Sequence, residues 1–135
     1  MLFQVKGFKL KTASQLTPKE IEAYRQATHR RKKQEEKALL QRKEKAWVLA
    51  RQAAELLRDK FSATKVVVFG SLANDKYFTP WSDVDIAVWG LKMEDTFHAI
   101  GAVFDLSDEI ALNLVDINTA RRSILETIQK EGVDI

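Results

Sequence analysis

The pattern of apolar and polar positions changes several times along the 135-residue chain, and each change marks an expected element. Residues 1–16 alternate weakly, with Leu2, Phe3, Val5, Phe8 and Leu10 set among lysines, which suits a short strand or an ordered arm. Thr17-Pro18-Lys19-Glu20 then starts a helix. Threonine suits the N-cap, proline the first helical position, and a glutamate three residues after the cap completes a capping box. Neither glycine nor proline recurs until Gly70, so helix is expected from Pro18 to about Lys60. Within it, Thr28 to Lys37 has no apolar residue; that stretch either bridges solvent or is where one helix breaks into two. From residue 46 an apolar stripe returns at helical spacing (Trp47, Ala50, Ala53, Ala54, Leu57), suited to covering a sheet.

Beyond Phe61 the apolar runs shorten to strand length. Val66–Phe69 reads as a fully buried strand, Val84–Trp89 as a second and Leu112–Ile117 as a third. Met93 to Leu106 reads as a helix with Phe97, Ile100, Val103 and Phe104 turned inward. Thr119 to Lys130 reads as another, ended by Gly132 as its C′ residue, with Val133–Ile135 as a short last strand. The order from residue 46 is α-β-β-α-β-α, which predicts an α+β or α/β domain with helices covering a small sheet.

Composition narrows the class. Hydrophobic content of 45% and charged content of 30% are those of a globular protein, and the length suits one core. No apolar run reaches membrane-spanning length, and Met1-Leu2-Phe3 lacks the features of a signal peptide. The absence of cysteine removes disulfides and thiolate metal sites, and with no targeting segment a cytoplasmic location is expected. The net charge of +3 conceals an asymmetry: residues 1–60 carry 16 Lys/Arg against 7 Asp/Glu, and residues 61–135 carry 6 against 12. Two halves of opposite sign suggest two roles, or a basic half that meets an acidic partner.

The chemistry concentrates between Val66 and Gly90. The first strand ends directly in Gly70-Ser71, and the second is entered through Asp83 and Asp85. Glycine lets a backbone come close to a ligand, and the following N–H groups and the serine hydroxyl suit a phosphate. Carboxylates at alternate strand positions share a face, about 7 Å apart at ~3.3 Å per residue. Two so close would raise each other's pKa, a penalty that a Mg²⁺ between them removes. Asp116 in the third strand either ends that strand or points into the same site. Three carboxylates beside a phosphate-binding turn are the arrangement for two-metal phosphoryl chemistry.

These residues carry a resemblance. The phrases VVVFGSLA, SDVDIAV, LNLVDI and ILETIQKEGV resemble the minimal nucleotidyltransferase (MNT) family of the DNA polymerase β-like nucleotidyltransferase superfamily, from about Trp47 to Ile135. The resemblance implies an α+β nucleotidyltransferase fold with a small mixed sheet covered by helices, residues 46–135, preceded by a basic arm and helix, residues 1–45. It implies that Asp83 and Asp85 ligate Mg²⁺, two ions in all, that Asp116 completes the site, and that Gly70 and Ser71 hold the phosphates of ATP. Ser82 is a further candidate at the nucleotide, though it could equally hold the loop turn. It also implies a function: transfer of AMP to a tyrosine of a HEPN-domain ribonuclease, with this chain as the antitoxin of the pair. The chain departs from the family at GSLAND, where Asn74 and Asp75 stand for the usual arginine and glycine, and in residues 1–45, which the minimal family lacks.

Other readings stand beside these. The chain could neutralise its partner by binding alone, as a catalytically weak module, or could use His29 to Lys33 (HRRKK) to grip nucleic acid. Glu35, Glu36 and Glu44 dilute that basic run, so a solvated helix face is the default and nucleic acid is not favoured. Trp81 is expected to pack locally, ahead of stacking on a base. Arg121 and Arg122 are expected at the surface.

Overall fold

The computed structural model describes residues 3–5, 8–10 and 13–135, with side chains from residue 14 onward. Two compact units divide it, Met1–Ala38 and Leu39–Ile135. In the first, β1 (Phe3–Val5) pairs antiparallel with β2 (Phe8–Leu10). The alternation at Leu2 lies outside the described residues. A 3₁₀ turn at Ala13–Gln15 leads to α1, Pro18–Phe61. The Glu20 backbone N–H donates to Thr17 Oγ1 at 3.1 Å, the N-cap that the Thr-Pro-x-Glu pattern predicts. α1 is one helix of 44 residues with no break at Thr28–Lys37, and those ten positions are all exposed. It ends at Ser62, which takes the left-handed φ of 57°, and the Ala63 N–H then donates back to Leu57 O at 3.1 Å.

In the second unit a four-stranded sheet has the order β5-β4-β3-β6. β3 (Lys65–Phe69) and β4 (Val84–Trp89) are antiparallel, β5 (Leu112–Asp116) runs parallel to β4, and β6 (Val133–Asp134) closes antiparallel on β3. The sheet is therefore mixed, and a helix-bearing crossover joins the parallel pair. Side chains of alternate parity feed two apolar clusters. Val66, Val68, Val84, Ile86, Val88, Leu112 and Leu114 pack with Ala46, Ala50, Ala53, Ala54 and Leu57 of α1 and with Ala99 and Val103 of α2 (Thr96–Phe104). On the other face Val67, Phe69 and Ala87 meet Ile128 of α3 (Arg122–Glu131), flanked by Ile124 and Val115. The alanine stripe lets α1 lie close on the sheet, because small side chains shorten the distance between packed layers. Among the described residues no helix is long and apolar enough to cross a membrane.

Three expectations need correction. The helix expected from Met93 begins with a 3₁₀ turn, Met93–Asp95, and turns Val103 inward as expected, but with Ala99 beside it instead of the phenylalanines. Phe97 is 86% exposed and Phe104 55% exposed, and Ile100 only flanks the core. With Ala99 and Val103 buried against the sheet, helical spacing leaves Phe97, two residues before Ala99, on the outer face. The last helix starts at Arg122 instead of Thr119, after a 3₁₀ turn at Ile117–Thr119. Finally, Gly132 does end α3, but at φ −64°, outside the left-handed region. What requires glycine there is space: a Cβ would sit 2.4 Å from Ile128 O and 2.6 Å from Val67 Cγ1.

Candidate active site

β3 ends directly before Gly70, and its antiparallel neighbour delivers Asp85 beside it, since Phe69 and Asp85 are paired. Gly70 takes φ +73°, which turns the chain out of the strand into a 3₁₀ turn, Gly70–Leu72. A Cβ at Gly70 would stand 2.5 Å from Asp85 Oδ2. The glycine is thus required twice, for its dihedral and for the carboxylate lying against it. The loop that follows is anchored by Leu72 and Phe78, both buried in the α1–α2 cluster. From α1 the Arg42 guanidinium donates through Nη2 to Ser82 O at 3.0 Å, and Lys43 pairs with Asp75 of the GSLAND segment. The loop therefore re-enters β4 at Asp83 from a fixed position.

Asp83 is exposed and Asp85 half-buried, on the face shared with Ala87 and Trp89. Burial pushes the Asp85 carboxyl above its ordinary range; the Asn113 hydrogen bond opposes that shift, and the Asp83 charge adds to it. The mutual repulsion expected from the spacing thus acts on Asp85, but as a lesser cause than burial. Asn113 Nδ2 donates to Asp85 Oδ1 at 3.2 Å from the facing position of β5.

Asp116 is not brought to this site. It has the parity of Leu112 and Leu114, so it faces the α1–α2 side, and it pairs with Val88, three residues beyond Asp85. It is 4% exposed, accepts Thr96 Oγ1 at 2.8 Å on Oδ2 and the Asn118 N–H at 3.0 Å on Oδ1. Its work is to end the strand and join it to the start of α2. Ser82 is likewise engaged: its hydroxyl accepts the Thr79 N–H at 2.8 Å and lies 3.1 Å from Thr79 Oγ1, which holds the turn. Trp81 does not pack locally but is 84% exposed, and Arg122 is solvated in an i,i+4 pair with Glu126.

Asp83 and Asp85 offer hard oxygen donors suited to a divalent cation such as Mg²⁺. Among the described residues no group of three or more His, Cys, Asp or Glu side chains is placed to hold a metal. The chain thus fits one cation through two carboxylates better than it fits a three-carboxylate, two-metal centre. Sequence reasoning missed Arg42, Lys43 and Asn113. Only Asn113 left a signal, as the polar position between Leu112 and Leu114.

A Gly-Ser turn abutting an Asp-x-Asp at the ends of adjacent antiparallel strands, within a helix-covered mixed sheet, is an arrangement suited to phosphoryl chemistry. The chain belongs to the polymerase beta nucleotidyltransferase family, whose model matches residues 51–135. Solved structures share the fold. One is a chain of a toxin–antitoxin crystal structure with AMP-PNP, 22% identical over 63% of this chain and 70% of that one, at a TM-score of 0.51. Another, from a mutant MntA-HpeT toxin–antitoxin structure, is 24% identical over 63% and 69%, at 0.51. A third comes from the tri-AMPylated Shewanella oneidensis HEPN toxin in complex with MNT antitoxin, 20% identical over 66% and 70%, at 0.49. No curated protein matches the chain.

Proposed function

We propose that this protein transfers AMP from ATP, with Mg²⁺, to a tyrosine hydroxyl of a HEPN-type toxin, and so serves as a cytoplasmic antitoxin. The observation that carries the reading is the contact between Gly70 and Asp85, which sets a phosphate-suited turn against the carboxylate pair. The MNT-like phrases and the fold shared with toxin–antitoxin structures support it.

Asp83 and Asp85 would hold the cation, which when bound lowers the pKa of the attacking hydroxyl and offsets charge on the triphosphate. Gly70 and Ser71 would seat the phosphates through backbone N–H groups and the serine hydroxyl. The tyrosine oxygen forms a bond to the α-phosphorus, the bond from that phosphorus to the bridging oxygen breaks, and pyrophosphate leaves. The hydroxyl proton departs to water on the open side, where Asp83 is exposed. Asp116 and Ser82, committed to other bonds, have no part in this scheme. Residues 46–135 carry the chemistry, and the basic residues 1–45 are left to contact the partner.

Incubation of the chain with labelled ATP, Mg²⁺ and a HEPN partner, read by intact mass, tests the proposal. A gain of one or more AMP masses on the partner, lost with Asp83→Ala, is expected. A stable complex with no mass gain would refute the transfer and leave the binding module. That second reading is favoured by one observation, the absence of a β5 carboxylate beside Asp85.

A further inference from the structure

We propose that Asn113 occupies the one place from which β5 could give a third carboxylate to the site, so that the nucleotide-free protein takes a single divalent cation. This rests on the metal-dependent reading above and specifies its metal site.

Strand geometry leaves few alternatives. β4 and β5 are parallel, with Asp85 opposite Asn113 and Ala87 opposite Val115. On β5 the residues sharing the Asp85 face are therefore Asn113 and Val115, because side chains alternate across a sheet. Val115 is apolar and packs on the α3-side cluster. Asn113 is exposed, and its amide nitrogen already points at Asp85 Oδ1, 3.2 Å away. Asp116 cannot substitute. It lies three residues further along, about 10 Å at ~3.3 Å per residue, on the opposite face and with both oxygens hydrogen-bonded. Turning it toward Asp85 would require reversing the parity of the strand.

An amide is a neutral group where a carboxylate would bring a full charge. Two carboxylates match the charge of one divalent ion; a second ion would then face the first without compensation until a triphosphate arrived. With its N–H₂ directed at Asp85, Asn113 acts as a positioning residue. It orients the carboxylate without itself ligating the cation. A carboxylate in its place would repel Asp85 in the metal-free protein and bind a cation jointly with it.

Mn²⁺ binding to the full chain without nucleotide, followed by the loss of the free-ion EPR signal, tests this independently of any transfer. The wild type should take about one Mn²⁺. Asn113→Asp should bind it at least tenfold more tightly, melt lower than wild type without metal, and recover on adding Mn²⁺. Should Asn113→Asp not fold, Asn113→Glu places the same charge at that exposed position. Asn113→Ala should change affinity less than threefold, and Asp116→Asn likewise. Two Mn²⁺ in the wild type, unchanged affinity in the folded carboxylate variants, or a large loss in Asn113→Ala or Asp116→Asn would each overturn the proposal. Asp85→Asn separates the two readings: retained Mn²⁺ binding there would remove the site itself, whereas lost binding with an inert Asn113→Asp would remove only this inference.

Discussion

Gly70→Ala is the substitution whose effect the structure specifies most fully. At φ +73° an alanine bears the left-handed strain of about 1–2 kcal/mol that glycine avoids. Its methyl would also sit 2.5 Å from Asp85 Oδ2 and 3.4 Å from Cγ, so the carboxylate must swing away. That movement breaks the Asn113 bond, worth about 1 kcal/mol for a half-exposed charged acceptor. The sum is about 2–3 kcal/mol, or a fall of roughly 10 °C in melting temperature for a chain of this size. The clash can be separated from the strain by a double-mutant cycle with Asp85→Ala. In that background the methyl meets no carboxylate, and the cost of Gly70→Ala should shrink to the dihedral strain of about 1–2 kcal/mol. Thermal or urea melts of the four proteins give the coupling. A cost that is the same in both backgrounds, or a Gly70→Ala melt within 2 °C of wild type, would refute the claim that Gly70 is kept for Asp85.

Asp85 has a folded pKa raised above its ordinary 3.8, so in that window the fold keeps a proton that the unfolded chain has lost. Stability should therefore fall as pH rises from about 3.8 through the raised value; Asp85→Asn should flatten this slope and stabilise the metal-free protein at neutral pH, read by melts across pH without metal. Gly101 has nothing within 4 Å of an added Cβ and lies inside α2, so Gly101→Ala should raise stability by about 0.8–1 kcal/mol in a urea titration. Asp116→Ala leaves the Thr96 hydroxyl and the Asn118 N–H without their acceptor and should cost about 2–4 kcal/mol in the same titration. Arg42→Ala releases Ser82 O, and limited proteolysis should then cut within residues 74–82 faster than in the wild type, with equal rates counting against the tether.

How far the sequence carries is clearest at its strands. Runs such as Val66–Phe69 and Val84–Trp89 are legible because burial on both faces needs continuous apolar residues, and the capping residues at Thr17 bound α1 by local chemistry. Amphipathic orientation was less legible. In α2 apolar residues stand on both faces, so which face packs on the sheet, Ala99 inward and Phe97 outward, is settled by tertiary packing with no local signature. The site shows the same division. Gly70, Asp83 and Asp85 lie at the adjoining ends of two strands paired across one loop, so their proximity follows from sequence spacing alone. Asp116 is conspicuous as a carboxylate in an apolar run, yet its parity with Leu112 and Leu114 assigns it to the core side. The same parity places Asn113 on the opposite face of that strand, a signal that charge alone does not reveal. What parity lacks is register. Only the pairing of Asp85 with Asn113 distinguishes a polar residue at the surface from one that sits where a ligand would be needed. Charge alone therefore points to Asp116, whereas the position of β5 that faces Asp85 carries a neutral amide.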